Sequence, residues 1–313
     1  MLRSARAKRR ISRFSAFRLI ALLTLCALGA LVSVFFAWHI PRAQAQTKAP
    51  AHHISAQKSR DKSIAMAQRS GNTQTLAPIA TLSSSLSSYL STLGPHAGVV
   101  VYDVTHQRTY SSNSAEQFLT ASSIKVPIML TFFAMTESQG REPDDAEVNL
   151  LTAMIEHSDN DAASALFAEI NGATGIASYL QQIGVSGLAP DEDAWGYSLI
   201  TPQAMVDLLT RLQNGTILTA TDRASALGLM QNVESDQQWG VGDTAPAGAT
   251  FAMKNGWVPG PDGLWSVNSS GIVNAGAETY IISVYMQEQP SLAAGQAILQ
   301  QVCSQVVSSL MGS

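Results

Sequence analysis

Apolar side chains recur along this chain at two different periods, and the change from one to the other marks out its elements. Ile79 to Leu93 carries them at helical spacing and stops at Gly94-Pro95, which predicts a helix. Val99-Val100-Val101-Tyr102 and Arg108 to Ser111, divided by a polar turn, read as a pair of strands. Ser122 to about Thr136 is a strongly apolar helix, and Ala146 to His157 is a second, with Val148, Leu151, Met154 and Ile155 at helical spacing. Asp161 to Ile170, Gly175 to Ile183 and Pro202 to Leu212 continue the helical block. Strand-like runs return at Thr250 to Lys254, Ser266 to Val273 and Tyr280 to Met286, before a last helix, Leu292 to Leu310. Strands, then helices, then strands, then a helix predict an α+β domain. Its antiparallel sheet is completed by both ends of the domain and flanked by helices, with an inserted all-helical lobe.

Ahead of this domain the pattern changes twice. Residues 1–18 hold Arg3, Arg6, Lys8, Arg9, Arg10, Arg13 and Arg18, and no acid precedes Asp61. Leu19 to Trp38 then runs without a charge, long enough at about 1.5 Å per residue to span roughly 30 Å, the thickness of a bilayer core. Segment 19–40 is therefore a signal-peptide core or a transmembrane anchor, and Ala43-Gln44-Ala45 offers a small-x-small cleavage site before Gln46. Either outcome places the remainder outside the cytoplasm, secreted or membrane-anchored. Residues 41–77, rich in Gln, Lys, Ala and Ser with no apolar period, read as a flexible linker, leaving 78–313 as the folded domain.

Charge narrows the choice of partner. Of the chain's 19 Lys and Arg only six lie from Pro78 onward (Arg108, Lys125, Arg141, Arg211, Arg223 and Lys254), against 22 of its 23 acids, a net charge of −16. A field of that sign repels nucleic acid, so no nucleic-acid partner is expected. Scarce cations also make each lysine informative. Cys26 lies in the apolar segment and Cys303 near the C-terminus, so the exported part has no internal disulfide and neither thiol has a zinc or catalytic spacing. The six histidines form no ligand pair at helical spacing. No metal and no cofactor are expected, and a monomer acting on a small molecule is.

Three short motifs carry the candidate chemistry. Ser-x-x-Lys occurs at Ser55/Lys58, Ser59/Lys62 and Ser122/Lys125. The first two lie in the linker. Ser122 instead opens an apolar helix, where free N–H groups and the helix dipole favour developing negative charge, and Lys125 lies on the same face one turn on. The same residues also suit a plain helix start, with Ser122 or Ser123 as the cap and Lys125 in solvent. Ser158-Asp159-Asn160 falls between two predicted helices, where all three are good caps. Lys254-Asn255-Gly256 ends a strand-like run, where a turn is the ordinary reading.

In that order, within one domain, the motifs resemble those of the penicillin-recognising serine hydrolases, and most closely the class A β-lactamases, with their Ser-x-x-Lys, Ser-Asp-Asn and Lys-Thr-Gly signature. The similarity runs from about Leu76 to the C-terminus and includes "MIEHSDNDAASALF", "ITPQAMVDLLTRLQNGTILTATDR" and "KNGW" followed by "VNSSGIV". The resemblance implies a β-lactamase/DD-peptidase-like fold. It makes Ser122 the nucleophile, Lys125 its proton acceptor and Ser158 the proton relay to the leaving nitrogen. Asn160 becomes a substrate amide contact and Lys254 the electrostatic partner of Ser158 and of a substrate carboxylate. Backbone N–H groups of Ser122 and Trp257 would form the oxyanion hole. The implied substrate is a β-lactam or a peptidoglycan peptide, and the implied membrane contact is the N-terminal segment, if uncleaved.

Four departures bear on that reading. The interval from Ser122 to Ser158 is short for the family, so part of the helical lobe is missing. Asn255 replaces the usual Thr or Ser, and its amide can still donate to a substrate carboxylate. No Lys or Arg follows Lys254, and Ser270 aligns with the family's carboxylate-gripping arginine. The loop from about Gly187 to Ile200 holds Asp191, Glu192 and Asp193 but no Asn, and no Lys or Arg lies between Glu142 and Thr210 to staple it. Glu192 is a candidate deacylation base on residue type, with a solvated acidic loop as the plainer reading. Acylation machinery is thus expected to be complete. The turnover reading, hydrolysis of β-lactams or related amides and esters, stands beside a DD-peptidase or esterase and beside a sensor that keeps its acyl adduct.

Overall fold

The computed structural model describes residues 77–78 and 83–311. The chain enters this stretch through the short strand β1 (Ala77–Pro78) and helix α1 (Ser84–Leu93), whose cap Ser83 accepts from the Leu86 N–H. A hairpin of β2 (Ala97–Asp103) and β3 (Arg108–Ser112) follows, then β4 (Phe118–Leu119). Four helices come next: α2 (Lys125–Ser138), α3 (Asp145–Glu156), α4 (Asn160–Glu169) and α5 (Gly172–Ile183). Strands β5 (Leu188–Ala189) and β6 (Leu199–Ile200) flank a loop ahead of α6 (Pro202–Gln213) and α7 (Ala220–Gln231). Long strands β7 (Thr250–Pro259), β8 (Trp265–Ala275) and β9 (Glu278–Gln289) lead into α8 (Leu292–Met311).

The main sheet runs β1-β3-β2-β9-β8-β7, and a small one runs β4-β6-β5. This is the expected α+β class, with the two ends of the domain meeting in one sheet. Among the described residues β1 and β3 form a parallel pair, Ala77↔Arg108 and Pro78↔Thr109, which departs from the expected all-antiparallel sheet and draws Ala77 out of the expected linker. The basic segment 1–18, the apolar segment 19–40 and the rest of that linker lie outside the described residues. Among the described residues no helix is long and apolar enough to cross a membrane.

Both faces of the sheet are covered, and β2 is buried at all seven positions. Its period-two alternation sends Val100 and Tyr102 into one apolar cluster with α2 and α6, and Val99 and Val101 into another with α1 and α8. Burying a side chain of that size stabilises the fold by about 1.5–3 kcal/mol. Helix α2 is apolar around its whole circumference and accordingly sits inside the first cluster, with Ile128, Met129, Leu130 and Phe132 fully buried. Helix α3 starts on a reciprocal cap. Asp144 accepts from the Glu147 N–H at 2.9 Å while Glu147 accepts from the Asp144 N–H at 2.7 Å. On that helix Leu151, Met154 and Ile155 turn inward as expected, whereas Val148 faces solvent.

Two sequence expectations change at once near the site. Helix α7 lies where no element was expected, and β7 does not stop at Lys254 but runs through Asn255 and Gly256 to Pro259. It stays paired with β8 through Lys254↔Ser270, Asn255↔Ser269 and Gly256↔Asn268. The third motif therefore stands in the middle of an edge strand rather than in a turn.

Candidate active site

Ser122 lies in a single 3-10 turn, Ala121–Ile124, that feeds directly into α2. Three contacts fix this turn. Asn268 on β8 donates to the Thr120 carbonyl at 2.9 Å, the Ser123 hydroxyl donates to the same carbonyl at 2.7 Å, and Ser123 Oγ pairs with the buried Tyr285 hydroxyl at 2.9 Å. Gly256 on β7 packs against it so closely that a Cβ there would stand 2.6 Å from Thr120 O and 2.9 Å from Ser122 N. Held this way, Ala121 takes a left-handed φ of 44°, and Ser158 takes one of 57°. Non-glycine residues in that region each cost about 1–3 kcal/mol and persist only where their surroundings over-determine them.

The remaining motif residues converge on Ser158. Lys125, the first residue of α2, is fully buried. Its Nζ donates to Ser158 O at 2.6 Å, Ser158 Oγ at 3.2 Å and Asn160 Oδ1 at 2.8 Å, and stands 5.3 Å from the Trp195 ring centroid. Lys254 reaches the same hydroxyl from β7, Nζ to Ser158 Oγ at 3.0 Å. Two buried ammonium groups thus share one serine. Burial lowers the pKa of Lys254 to about 7, with the neighbouring charge of Lys125 as the second cause. Burial likewise lowers Lys125 to about 8, opposed in part by the carboxylate of Asp159. Each lysine is thereby able to hold or release a proton near neutral pH. Asp159 also serves as the cap of α4, accepting from the Ala162 N–H at 2.7 Å, so the middle motif is both a helix boundary and a ligand set for Lys125.

Ser122 opens into a cavity of about 270 Å³ lined by Ala121, Asn160, the loop from Asp193 to Tyr197, and Trp257 and Val258 of β7. Within that lining Asp193 is the charged side chain. The loop is joined to the strand across the cavity by the Tyr197 hydroxyl, which donates to Pro259 O at 3.1 Å. Its three acids have three destinations. Asp191 accepts from the Asp193 and Ala194 N–H groups at 3.0 and 2.7 Å and shapes the loop. Glu192 accepts from the Ala173 N–H at 2.8 Å, in the first turn of α5, and does not line the cavity. The Asp193 carboxylate has no hydrogen bond or ion pair among the described residues and borders the cavity.

Set against the sequence reading, Ser122, Asn160 and Trp257 line one cavity, and Lys125, Ser158 and Lys254 meet at the Ser158 hydroxyl, joined to the cavity through Asn160, whose Oδ1 accepts from Lys125. Glu192 is not brought to them, because the Ala173 N–H in the first turn of α5 holds its carboxylate. Asn255 is not brought there either. It is fully buried, its Nδ2 donating to the carbonyls of Gln237 and Trp239 at 2.8 and 2.7 Å, while its Oδ1 has no partner. Ser270 is buried in the sheet against Ser283, Oγ to Oγ 3.0 Å. Sequence reasoning missed Asp193, Trp195 and Tyr197 as cavity walls, although two large aromatics in a polar loop were a readable signal. Among the described residues, one group with metal-ligand spacing exists, Asp103, His106 and Glu278, and none of the three lines the cavity. Its His106 Nδ1 is hydrogen-bonded to Asp103 at 2.9 Å and lies 3.4 Å from Glu278.

Comparison with known proteins bears on the fold and the family. A profile of the Beta-lactamase enzyme family matches residues 81–148 and 146–310. No curated protein matches the sequence. Among solved structures, a variant of the last common ancestor of Gram-negative bacteria class A β-lactamase is 22% identical, with a TM-score of 0.65 over 74% of this chain and 98% of that one. PBP-A is 19% identical, with a TM-score of 0.66 over 76% of this chain and 100% of that one. A PBP-A mutant solved as an acyl-enzyme complex with penicillin-G matches equally, at 19% identity and a TM-score of 0.66, over 76% of this chain and 99% of that one. These likenesses show the fold.

Proposed function

The chain belongs to the β-lactamase enzyme family, and from that premise we propose that it is an exported serine hydrolase acting through an acyl-enzyme on Ser122. The observation that carries this reading is the Ser158 hydroxyl held between two buried lysines, 3.2 Å from Lys125 and 3.0 Å from Lys254, beside an exposed-edged cavity that contains Ser122. In the proposed step, neutral Lys125 takes the Ser122 proton as Oγ bonds to the carbonyl carbon of a β-lactam or related amide or ester. The oxyanion is received by the backbone N–H groups of Ser122 and Trp257. Collapse breaks the bond to the leaving group, whose nitrogen or oxygen accepts the Ser158 proton. Ser158 is then reprotonated from the lysine pair. Asn160 contacts the substrate amide.

Release of the acyl group needs a water and a base. With Glu192 on the α5 N-terminus, a slowly released adduct of the penicillin-binding or DD-peptidase kind is favoured over fast β-lactam turnover. Intact mass followed over time, after mixing the full-length protein and its Ser122→Ala variant with a penicillin, tests both points. The expected result is a Ser122-dependent adduct, formed faster as pH rises through about 8, that outlives many turnovers of an efficient β-lactamase. A short-lived adduct with hydrolysed drug accumulating would replace slow release with turnover, and an adduct on the Ala variant would remove Ser122 from the chemistry.

A further inference from the structure

Resting on the Ser122 reading, we infer that the cavity selects acyl donors whose acyl chain carries a positive charge, with Asp193 as the residue that reads it. Two observations lead there. Asp193 is the charged member of the lining, and its carboxylate is committed to no protein partner among the described residues. The walls around it are aromatic: Trp195 and Tyr197 on the same loop, Trp257 on the opposite strand. A cation is attracted both by a carboxylate and by ring faces, and since the Lys125 ammonium already stands 5.3 Å from the Trp195 ring, Tyr197 and Trp257 are the rings left to receive one.

The two ends of the site therefore differ in sign. At the Ser158 end lie the lysines, suited to the leaving group as it gains electrons. At the loop end lies Asp193, and because the proposed leaving group is assigned to Ser158, the acyl chain is assigned to this other end. A donor with a cationic acyl chain is aligned by both ends, whereas an anionic chain meets Asp193 with no cation among the lining residues to offset it. The expected selectivity is that of one exposed carboxylate, about two- to fivefold in acylation rate.

Three penicillins with a common nucleus provide the test: one with a trimethylammonioacetyl chain, one with its uncharged carbon isostere, 3,3-dimethylbutanoyl, and one with a malonyl chain. Their charges are fixed near neutral pH, so the titration of the lysines affects all three alike. Acylation rates would be read by intact mass on full-length wild type, Asp193→Asn and Ser122→Ala. Asn at 193 keeps the backbone N–H that Asp191 accepts, and an unchanged unfolding midpoint would confirm that the loop is intact. The expected order in wild type is cationic, then neutral, then anionic. The cationic-to-neutral ratio should fall toward one in Asp193→Asn, and fall again in wild type as salt is raised to about 0.5 M. A wild-type ratio of one or below, or the same ratio in both proteins, overturns the inference while leaving Ser122 acylation in place. No adduct from any of the three overturns the Ser122 reading, and the inference with it.

Discussion

Replacing Lys254 with Met is expected to abolish acylation and yet to stabilise the fold. The side chain is 1% exposed, and burial, followed by the charge of Lys125, lowers its pKa from 10.5 to about 7. At 1.36 kcal/mol for each tenfold change in proton affinity, holding that charge inside the protein below pH 7 costs about 5 kcal/mol. That figure is already net of its hydrogen bonds to Ser158 Oγ and Asn255 O. Met is of similar length and needs no solvation, so the variant should gain a few kcal/mol, about 5 at most, at pH 6. The sign with pH follows from the depressed folded pKa. Between about pH 7 and 10.5 the unfolded chain binds more protons than the folded one, so wild-type stability rises with pH through that window and is lowest below it. The variant lacks this dependence, and its advantage should shrink by about 2–3 kcal/mol between pH 6 and pH 9. Urea unfolding of both full-length proteins at these pH values measures the gap, and Lys125, present in both, cancels to first order. A variant less stable than wild type at pH 6, or a gap that does not move with pH, would refute the reasoning.

Glu192→Ala should lower the melting temperature by about 2–4 °C, the loss of a carboxylate worth about 1 kcal/mol at the start of α5, with no change in adduct lifetime. An adduct at least about a hundredfold longer-lived at unchanged melting temperature would instead restore Glu192 as the deacylation base. Gly256→Ala puts a methyl 2.6 Å from Thr120 O, so the Ser122 turn must shift, and acylation by penicillin should fall by about a hundredfold. A rate within threefold of wild type would mean that β7 does not set the position of the nucleophile.

Elements whose apolar period faces one continuous core were legible in the sequence: β2, α2, α3, α6 and α8 begin or end within a few residues of where the pattern puts them. Helix α7 was not, because what it buries is Asp222, Ala226 and Met230, one acid, one small residue and one large apolar one, and that set carries little amphipathic signal. The end of β7 was hidden for the opposite reason. Lys254 and Asn255 look like turn residues, and they are buried in a strand only because Ser158, Gln237 and Trp239, distant in sequence, supply their partners. The motif residues could be recognised by type and order, but the direction of each carboxylate in the acidic loop could not. Asp191, Glu192 and Asp193 are near-identical in composition and adjacent in sequence, and what separates them is which N–H groups the fold happens to bring alongside.

The hydroxyl of Tyr197 on Pro259 O also sets a clock. Tyr197 is 39% exposed, and one hydrogen bond at a surface is worth about 1 kcal/mol net, so the latch stands open in roughly one molecule out of six at any instant. Loops of this kind exchange in nanoseconds to microseconds. During the life of the acyl-enzyme proposed above, the latch would open a very large number of times, and bulk water would reach the ester on each occasion. Persistence of the proposed adduct would then be a matter of what greets the water at Ser122, not of keeping it out.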